Sequence, residues 1–347
     1  MKHNRAKDIA RKSYFILPRI LKVLILRFSH SAIRSLVKNL YISYDSGAAV
    51  DGTGAQLQRL ISVAALSNYF GLHFLPSKIE NFSVHALDPF QSDKDYLDQL
   101  VRLNQFLTFP NIISIDPESA IEKVYISKLT IRRFLFENFK QILKPSPRTL
   151  VVLEVYPVSE FCPGVFTDFG VRISEDLRPV GNVDGHHLVV HYRQGVGGNV
   201  IYPGQKIPRQ IEFNKIVDVI SDLIWSKTAN SISKITILTD APNTISFYTP
   251  PENQRVLWEG TPGYSDGIMT IQPMDFSELH ALTNLPILVI RGGNPLDAIK
   301  VMAASDVLIM SKSSLSYVGA LLNKRGIVYC PRSFWHNPLG SWVKYDG

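Results

Sequence analysis

One stretch indicates the fold class of this chain of 347 residues: Leu188-Val189-Val190-His191-Tyr192-Arg193. It opens with a short, continuous apolar run, which is typical of a parallel β-strand that is buried on both faces. His191 and Arg193 stand at the end of that run. Ligands of open α/β sheets bind outside the carboxyl ends of the strands, so these two side chains are candidates for a ligand site.

Similar apolar runs follow along the chain. Four of them predict further buried strands, at residues 235–238, 287–290, 307–310 and 327–329. Helical patterns separate most of these strands, at residues 209–227, 295–304 and 314–323. Asn294 and Pro295 have the residue types of a helix N-cap and a first helical position. Short apolar strands that alternate with helices predict a parallel sheet that is covered on both faces.

The N-terminal half begins with a strand, a glycine turn and a helix. Residues 47–50 are the predicted strand, and Asp51-Gly52-Thr53-Gly54 is the turn. A buried helical face then recurs at Leu57, Leu60, Ile61, Ala64 and Ala65. Further patterns predict strands at 73–75 and 149–153 and helices at 94–107 and 129–143.

The length of the chain exceeds what one hydrophobic core usually serves, which predicts two domains of roughly 150 residues each. The fold class is therefore α/β. We expect an arm at residues 1–40, an N-terminal domain at 41–180 and a C-terminal domain at 181–347. Residues 157–185 are rich in Pro, Gly and acidic side chains and are the linker candidate.

The positive charge of the chain is confined to the arm. The whole chain has 37 Lys and Arg against 30 Asp and Glu, a net of +7, but residues 1–40 hold ten basic side chains and one acid. Residues 41–347 therefore carry 27 basic and 29 acidic side chains, a net of −2. Nucleic-acid binding depends on excess positive charge, so the nearly neutral body of the protein disfavours it.

The arm has one apolar helical face, formed by Leu17, Ile20, Leu21, Leu24 and Phe28. This face suits a helix that lies on an anionic membrane, and it suits equally well a helix that docks on the protein's own surface. Charges interrupt the apolar run every few residues, which disfavours a membrane span and a secretory signal. Cys162 and Cys330 form no disulfide framework, so we expect a cytoplasmic protein, peripheral on the inner face of the membrane if the arm binds there.

Arg193 is a candidate phosphate ligand. A guanidinium binds a pyrophosphate through two parallel hydrogen bonds and neutralises the charge that grows as a phosphate leaves, which makes a metal unnecessary. The competing interpretation is a surface arginine beside a histidine that the backbone satisfies. Gly195, Gly197 and Gly198 form no dinucleotide fingerprint, because Tyr202-Pro203-Gly204 follows where a helix would have to begin.

A second polar cluster follows the strand at 307–310. It consists of four hydroxyls at the point where a helix must begin, those of Ser311, Ser313, Ser314 and Ser316. Such hydroxyls and the free amide groups of the helix can converge on an anion, although capping by Ser313 or Ser314 alone is the simpler alternative. Asp240 follows the strand at 235–238 and is either a helix N-cap or an acceptor of hydrogen bonds from a guanine edge.

Three segments, in this order, resemble the bacterial alpha-1,2-fucosyltransferases and the related nodulation and protein O-fucosyltransferases. They are the turn Asp51-Gly52-Thr53-Gly54-Ala55-Gln56, the motif His191-Tyr192-Arg193, and the run from Ser311 to Ala320. Those families share a glycine-rich turn before an N-terminal helix, a His-x-Arg motif on the first strand of the donor domain and a late serine-rich motif. The resemblance extends over residues 47–335.

The resemblance implies a GT-B-like enzyme, with two Rossmann-like domains that face a cleft. Such an enzyme transfers fucose from GDP-fucose to a hydroxyl of an oligosaccharide or glycolipid, with inversion and without a metal or other cofactor. Arg193 and His191 would hold the pyrophosphate, helped by Ser311, Ser313, Ser314 and Ser316, and Asp240 would contact the base.

On the acceptor side the resemblance implies a cleft lined by Gly52, Gly54 and Gln56. Asp51 is the candidate catalytic base, although an Asp before Gly is also an ordinary turn residue. The sequence departs from the family at Gln194-Gly195, where relatives commonly have a second Arg and then Gly-Asp. Two alternatives therefore stay open: another nucleotide sugar as donor, such as a UDP- or ADP-linked one, and a non-catalytic nucleotide-binding relative.

Overall fold

The computed structural model describes residues 40–44, 52–70, 73–82, 93–109, 120–126, 149–155, 171–173, 186–194, 210–226, 232–250, 252, 255, 259, 263–334, 336 and 338–347. In chain order the elements are β1 (Leu40–Tyr44), α1 (Thr53–Phe70), β2 (His73–Leu75), α2 (Asp93–Gln105), β3 (Leu107–Thr108), β4 (Ala120–Ile126), β5 (Thr149–Val155), β6 (Arg172–Ile173), β7 (His186–Tyr192), α3 (Phe213–Trp225), β8 (Ile232–Thr239), β9 (Ser246–Tyr248), β10 (Tyr264–Ser265), β11 (Ile268–Ile271), α4 (Ser277–Leu282), β12 (Ile287–Arg291), α5 (Pro295–Ala303), β13 (Val307–Ile309), α6 (Ser314–Leu322), β14 (Ile327–Pro331) and β15 (Val343–Tyr345). They fall into two compact units.

The first unit is built on a four-stranded parallel sheet in the order β2-β1-β5-β4. The predicted strands at 73–75 and 149–153 are confirmed as β2 and β5. The first strand lies at residues 40–44, and residues 47–50, where the sequence predicted it, lie outside the described residues. The helix predicted after the glycine turn is confirmed as α1, whose residues 63–70 belong to this unit.

The second unit is built on a six-stranded sheet in the order β12-β8-β7-β13-β14-β15, in which every neighbouring pair is parallel. Numbered by their sequence within this unit, the strands lie in the order 3-2-1-4-5-6, which is that of doubly wound nucleotide-binding folds. All five strands and the three helices predicted for this part of the sequence are confirmed. The α/β class with parallel sheets is thus confirmed, and the arrangement of two domains about a cleft stays a prediction.

Helices cover both faces of the six-stranded sheet, as its continuous apolar strands require. On one face, α3 buries Ile216, Ile220 and Leu223 against Leu188 and Val190 of β7. On the other face, α5 and α6 pack on each other and α5 contacts β7. The N-cap predicted at the start of α5 is confirmed, since the Asn294 side chain accepts a hydrogen bond from the Leu296 N–H and Pro295 follows it.

Several further segments belong to the second unit. They include residues 52–62 at the start of α1, helix α2, the antiparallel pair β3-β6 and the antiparallel sheet β10-β11-β9. Helix α2 confirms the helix predicted at 94–107. The segment β9-β10-β11 interrupts the α/β alternation between β8 and α4, and the sequence pattern did not predict it.

Some predictions fall on residues outside the described ranges. These are residues 1–39 of the predicted arm, Asp51, Cys162, the helix at 129–143, and the linker at 157–185 apart from residues 171–173. Cys330 is buried, and burial raises the pKa of its thiol to about 12, so it acts as a small hydrophobic side chain. In the part of the chain that the structure describes, no helix combines the length and the apolar character that a membrane span requires.

Asn323, at the end of α6, holds the connection between α5, α6 and β14 together. Its side-chain amide donates to the Met302 and Ser305 carbonyls, at 3.1 and 2.8 Å. Its side-chain oxygen accepts from the backbone N–H groups of Arg325 and Gly326, at 3.2 and 2.7 Å. Asn323 is buried, so removing its side chain takes away the protein partners of these backbone groups in the interior.

We expect Asn323→Ala to lower the free energy of unfolding by about 3 kcal/mol, because it leaves several buried backbone groups unsatisfied. Urea denaturation measures the loss. The matched control is Arg325→Ala, which removes an exposed side chain two residues away and should change stability by less than about 0.5 kcal/mol. Equal effects of the two substitutions would contradict the role of Asn323.

Candidate functional site

The strand order of the second unit locates a crevice at the carboxyl ends of β7 and β13. The chain leaves β7 towards β8 on one side, and it leaves β13 towards β14 on the other. Connections that diverge in this way open a crevice, where ligands of doubly wound sheets bind. The two polar segments that the sequence singled out both lie at this crevice, because His191 and Arg193 end β7 and the serine cluster follows β13.

His191 and Arg193 point to the same side of the sheet because side chains alternate along a strand. That side carries α6. Arg193 donates from Nη1 to the Ser313 hydroxyl oxygen at 3.4 Å, and its side chain is 17% exposed. The guanidinium is therefore mostly buried, and it lies directly beside the start of α6.

Helix α6 begins with the cap that the sequence predicted as one alternative. Ser313 is its N-cap residue, and the Ser313 hydroxyl accepts a hydrogen bond from the Leu315 N–H at 3.2 Å. Ser314 is the first helical residue and is partly exposed. A helix N-terminus carries a partial positive charge, so the guanidinium of Arg193 and the start of α6 attract an anion to the same place.

Ser311 and Ser316 are buried, at 1% and 0% exposure, and contact His191. The Nδ1 atom of His191 is hydrogen-bonded to both hydroxyls, at 2.9 Å to Ser311 and more closely to Ser316. The Ser316 hydroxyl also accepts from the Ser311 N–H at 3.3 Å. These bonds join the end of β7 to the β13–α6 connection. Four serines were predicted to bind a donor. Ser311 and Ser316 are hydrogen-bonded to His191, whereas Ser313 and Ser314 lie at the start of α6.

His191 is neutral at physiological pH. Burial lowers the pKa of its imidazole to about 4, while the Asp240 carboxylate raises that pKa and the Arg193 guanidinium lowers it. Burial also lowers the pKa of Lys312, which lies between two of the serines. Among the described side chains, no group of three or more His, Cys, Asp or Glu is arranged to hold a metal ion.

Asp240 is not a helix N-cap, because residues 241–245 form a turn that leads into β9. Its carboxylate instead accepts the Gln194 N–H at 2.7 Å and lies 4.0 Å from Nε of Arg193. The contact follows from strand register: Tyr192 pairs with Thr239, so the residues that follow them are neighbours.

Arg291 supports this side of the crevice, and the sequence pattern did not single it out. Its guanidinium donates to the Ala241, Pro242 and Met274 carbonyls and lies 5.0 Å from the centre of the Phe276 ring. The signal was present in the sequence, since Arg291 ends an apolar strand just as Arg193 does. The two glycines that follow it, at 292 and 293, have positive φ, which glycine adopts readily.

Gly54 brings the start of α1 against the start of α6. A Cβ atom on Gly54 would lie 2.5 Å from the backbone N and 2.7 Å from the Cα of Leu315, so only glycine fits. Gly52 accepts the Ala55 and Gln56 N–H groups at the start of α1, and the buried Gln56 side chain donates to the Asn81 carbonyl at 3.3 Å. Two helix N-termini thus meet within the second unit.

No protein-family model matches this chain, and no curated protein matches it either. Among solved structures, the E. coli ADP-heptose LPS heptosyltransferase II is similar at 10% identity and a TM-score of 0.33, over 88% of this chain and 89% of that chain. An apo structure of OtsA is similar at 9% identity and a TM-score of 0.27, over 89% of this chain and 62% of that chain. Scores this low assign no function.

We expect Gly54→Ala to destabilise the protein by about 1–3 kcal/mol, because the added methyl group meets backbone atoms that cannot turn away. Thermal unfolding with calorimetry measures the change. The control is Gly340→Ala, where an added Cβ meets nothing within 4 Å. If Gly54→Ala were as stable as this control, the close approach of α1 and α6 would be wrong.

We expect His191 to make folding stability depend on pH between about 4 and 6.5. The folded pKa is depressed below the ordinary value of 6.5, so the unfolded chain binds the extra proton first and stability falls as the pH drops through this window. From pH 7 to pH 5, His191→Asn should lose about 2 kcal/mol less stability than the original chain, measured by urea denaturation.

The comparison isolates His191 because His187, whose pKa burial also lowers to about 4, is present in both proteins. Asn retains a polar atom near the position of Nδ1 that can bond to the serines. Equal losses of stability in the two proteins would show that His191 is protonated as readily in the folded state as in the unfolded chain.

Proposed function

We propose that this chain is a glycosyltransferase and that the crevice beside β7 and β13 binds the diphosphate of its nucleotide-sugar donor. One observation carries the proposal: a partly exposed guanidinium, Arg193, stands next to the N-terminus of α6 at the point where the strand order reverses. The phosphates of nucleotides bind where positive charge, a helix N-terminus and the crevice at a reversal of strand order come together.

The reaction requires this charge at the leaving group. The acceptor hydroxyl oxygen attacks the anomeric carbon, the bond from that carbon to the β-phosphate oxygen breaks, and the nucleoside diphosphate departs with the bonding electrons. The hydroxyl proton passes to a base. Negative charge therefore grows on the β-phosphate, where Arg193 stabilises it more strongly in the transition state than in the bound donor.

The remaining roles in this proposal come from the residues named by the resemblance. Ser313 and Ser314 bind the phosphates, while Ser311 and Ser316 act through His191. Asp51 is the proposed base, and Gly52, Gly54 and Gln56 are proposed for the acceptor side. Because Arg193 supplies the charge, the proposed mechanism needs no metal.

The proposed donor is GDP-fucose, and the proposed acceptor is a hydroxyl of an oligosaccharide or glycolipid. Direct displacement inverts the anomeric carbon. We further propose that the basic arm, residues 1–40, holds the enzyme against the inner face of an anionic membrane, where glycolipid acceptors would be within reach. One observation favours a second candidate, a UDP- or ADP-linked donor: Gln194 stands where the fucosyltransferases commonly have a second arginine.

We expect GDP to raise the melting temperature of the protein, and we expect Arg193→Lys to reduce kcat/KM for sugar transfer at least 100-fold. A lysine keeps one charge but loses the planar pair of donors that matches a diphosphate. Turnover is measured as release of GDP from GDP-fucose with EDTA present and a mixture of glycan acceptors.

The control is Arg332→Lys, an exposed arginine that pairs with Asp346 at 2.7 Å and should leave turnover unchanged. Stabilisation by UDP or ADP in place of GDP would select the second donor. Nucleotide binding without transfer or hydrolysis of any nucleotide sugar would identify a non-catalytic relative. An Arg193→Lys variant as active as the control would remove Arg193 from the mechanism.

A further inference from the structure

Asp240 faces the arginine of the proposed site. One carboxylate oxygen accepts the Gln194 N–H at 2.7 Å, and the other lies 4.0 Å from Nε of Arg193. The carboxylate thus accepts a hydrogen bond from the backbone of Gln194 and lies at ion-pair distance from the side chain of Arg193. It approaches the guanidinium from the Nε side, while Ser313 contacts Nη1.

The backbone that carries Asp240 is itself fixed. The Thr239 hydroxyl accepts the Ala241 N–H at 3.0 Å, and the Thr239 carbonyl accepts the Gly292 N–H at 2.8 Å. Arg291 then holds the carbonyls of the next two residues, Ala241 and Pro242. Because these hydrogen bonds hold the segment in place, the Asp240 carboxylate keeps its position. It therefore fixes the position of the Arg193 guanidinium.

The negative charge of Asp240 opposes the binding of an anion at the proposed site, so charge does not explain why a carboxylate stands there. The orientation of the Arg193 side chain does. An arginine side chain has many rotamers, and fixing one of them costs conformational entropy. A guanidinium that is held before the ligand arrives loses less entropy on binding, and errors of about 1 Å in such groups cost roughly 100-fold in rate.

We infer that Asp240 is a positioning residue that orients Arg193 and the Gln194 backbone for a diphosphate, and that it does not read the nucleotide base. The inference rests on the proposed function, because it assigns a role within the same site. It also makes a distinction that can be measured. A positioning residue affects every ligand that contains the diphosphate, whereas a base contact affects only the matching nucleotide.

The test compares binding of GDP and of inorganic pyrophosphate by calorimetry in the original chain and in Asp240→Ala. We expect both affinities to fall by the same factor, about tenfold. In an Arg193→Ala background, Asp240→Ala should weaken GDP binding by less than twofold, because the guanidinium that it positions is gone.

The structure offers a matched control at the other end of the same strand. Asp306 accepts the His187 N–H at 2.8 Å at the start of β7, as Asp240 accepts the Gln194 N–H just after its end. Asp306→Ala should lower the melting temperature about as much as Asp240→Ala does but leave both affinities unchanged. A merely structural role for Asp240 predicts that the two variants behave alike in binding as well.

The outcomes separate the two proposals. If the original chain binds neither GDP nor pyrophosphate, the proposed function is wrong, and so is the role of Asp240 that rests on it. If both ligands bind and Asp240→Ala weakens GDP alone, Asp240 reads the base and the positioning role is overturned, while the donor site stands. If Asp240→Ala changes neither affinity, Asp240 has no part in the site.

Discussion

The reversal of strand order between β7 and β13 is the constraint on which the rest of this site depends. The chain leaves these two strands towards opposite neighbours, and this is the arrangement that opens a crevice at the carboxyl ends of the strands in doubly wound sheets. Side chains that end β7 and residues that begin α6 therefore meet across one crevice. A sheet of the same strands in a simple sequential order would separate them, and Arg193 would face solvent without the helix N-terminus beside it.

Hydrogen bonds hold the two sides of the crevice in register. The buried His191 imidazole ties β7 to Ser311 and Ser316, and the partly exposed Asp240 carboxylate ties the end of β7 to the end of β8. A polar group is costly to bury unless it is paired, so the bonds of His191 specify one arrangement of the strand ends. Arg193 and the start of α6 are thus supported from behind by groups that the ligand need not touch.

The sequence predicted the elements of the second unit well and the roles of its polar residues less well. Apolar runs such as 188–190 and 307–309 are long enough to mark buried strands, and strand-end placement alone brought His191, Arg193 and the serines together. Burial of Ser311 and Ser316 could not be predicted, because it depends on which side of α6 packs against β7. The contact of Gly54 with Leu315 joins residues more than 250 positions apart, and local patterns carry no information about such a pair. The register of β7 with β8, which makes Arg193 and Asp240 neighbours, is likewise a property of the folded sheet.

A crystal structure of the protein with GDP bound would show directly whether this crevice holds the diphosphate. We expect the diphosphate to lie at the carboxyl ends of β7 and β13, with phosphate oxygens within about 3.2 Å of the Arg193 guanidinium and of the Ser314 hydroxyl. We also expect His191 to keep its bonds to Ser311 and Ser316 in the complex. An ordered GDP whose phosphates lie elsewhere, with Arg193 still turned to Ser313 and Asp240, would contradict this assignment of the diphosphate site.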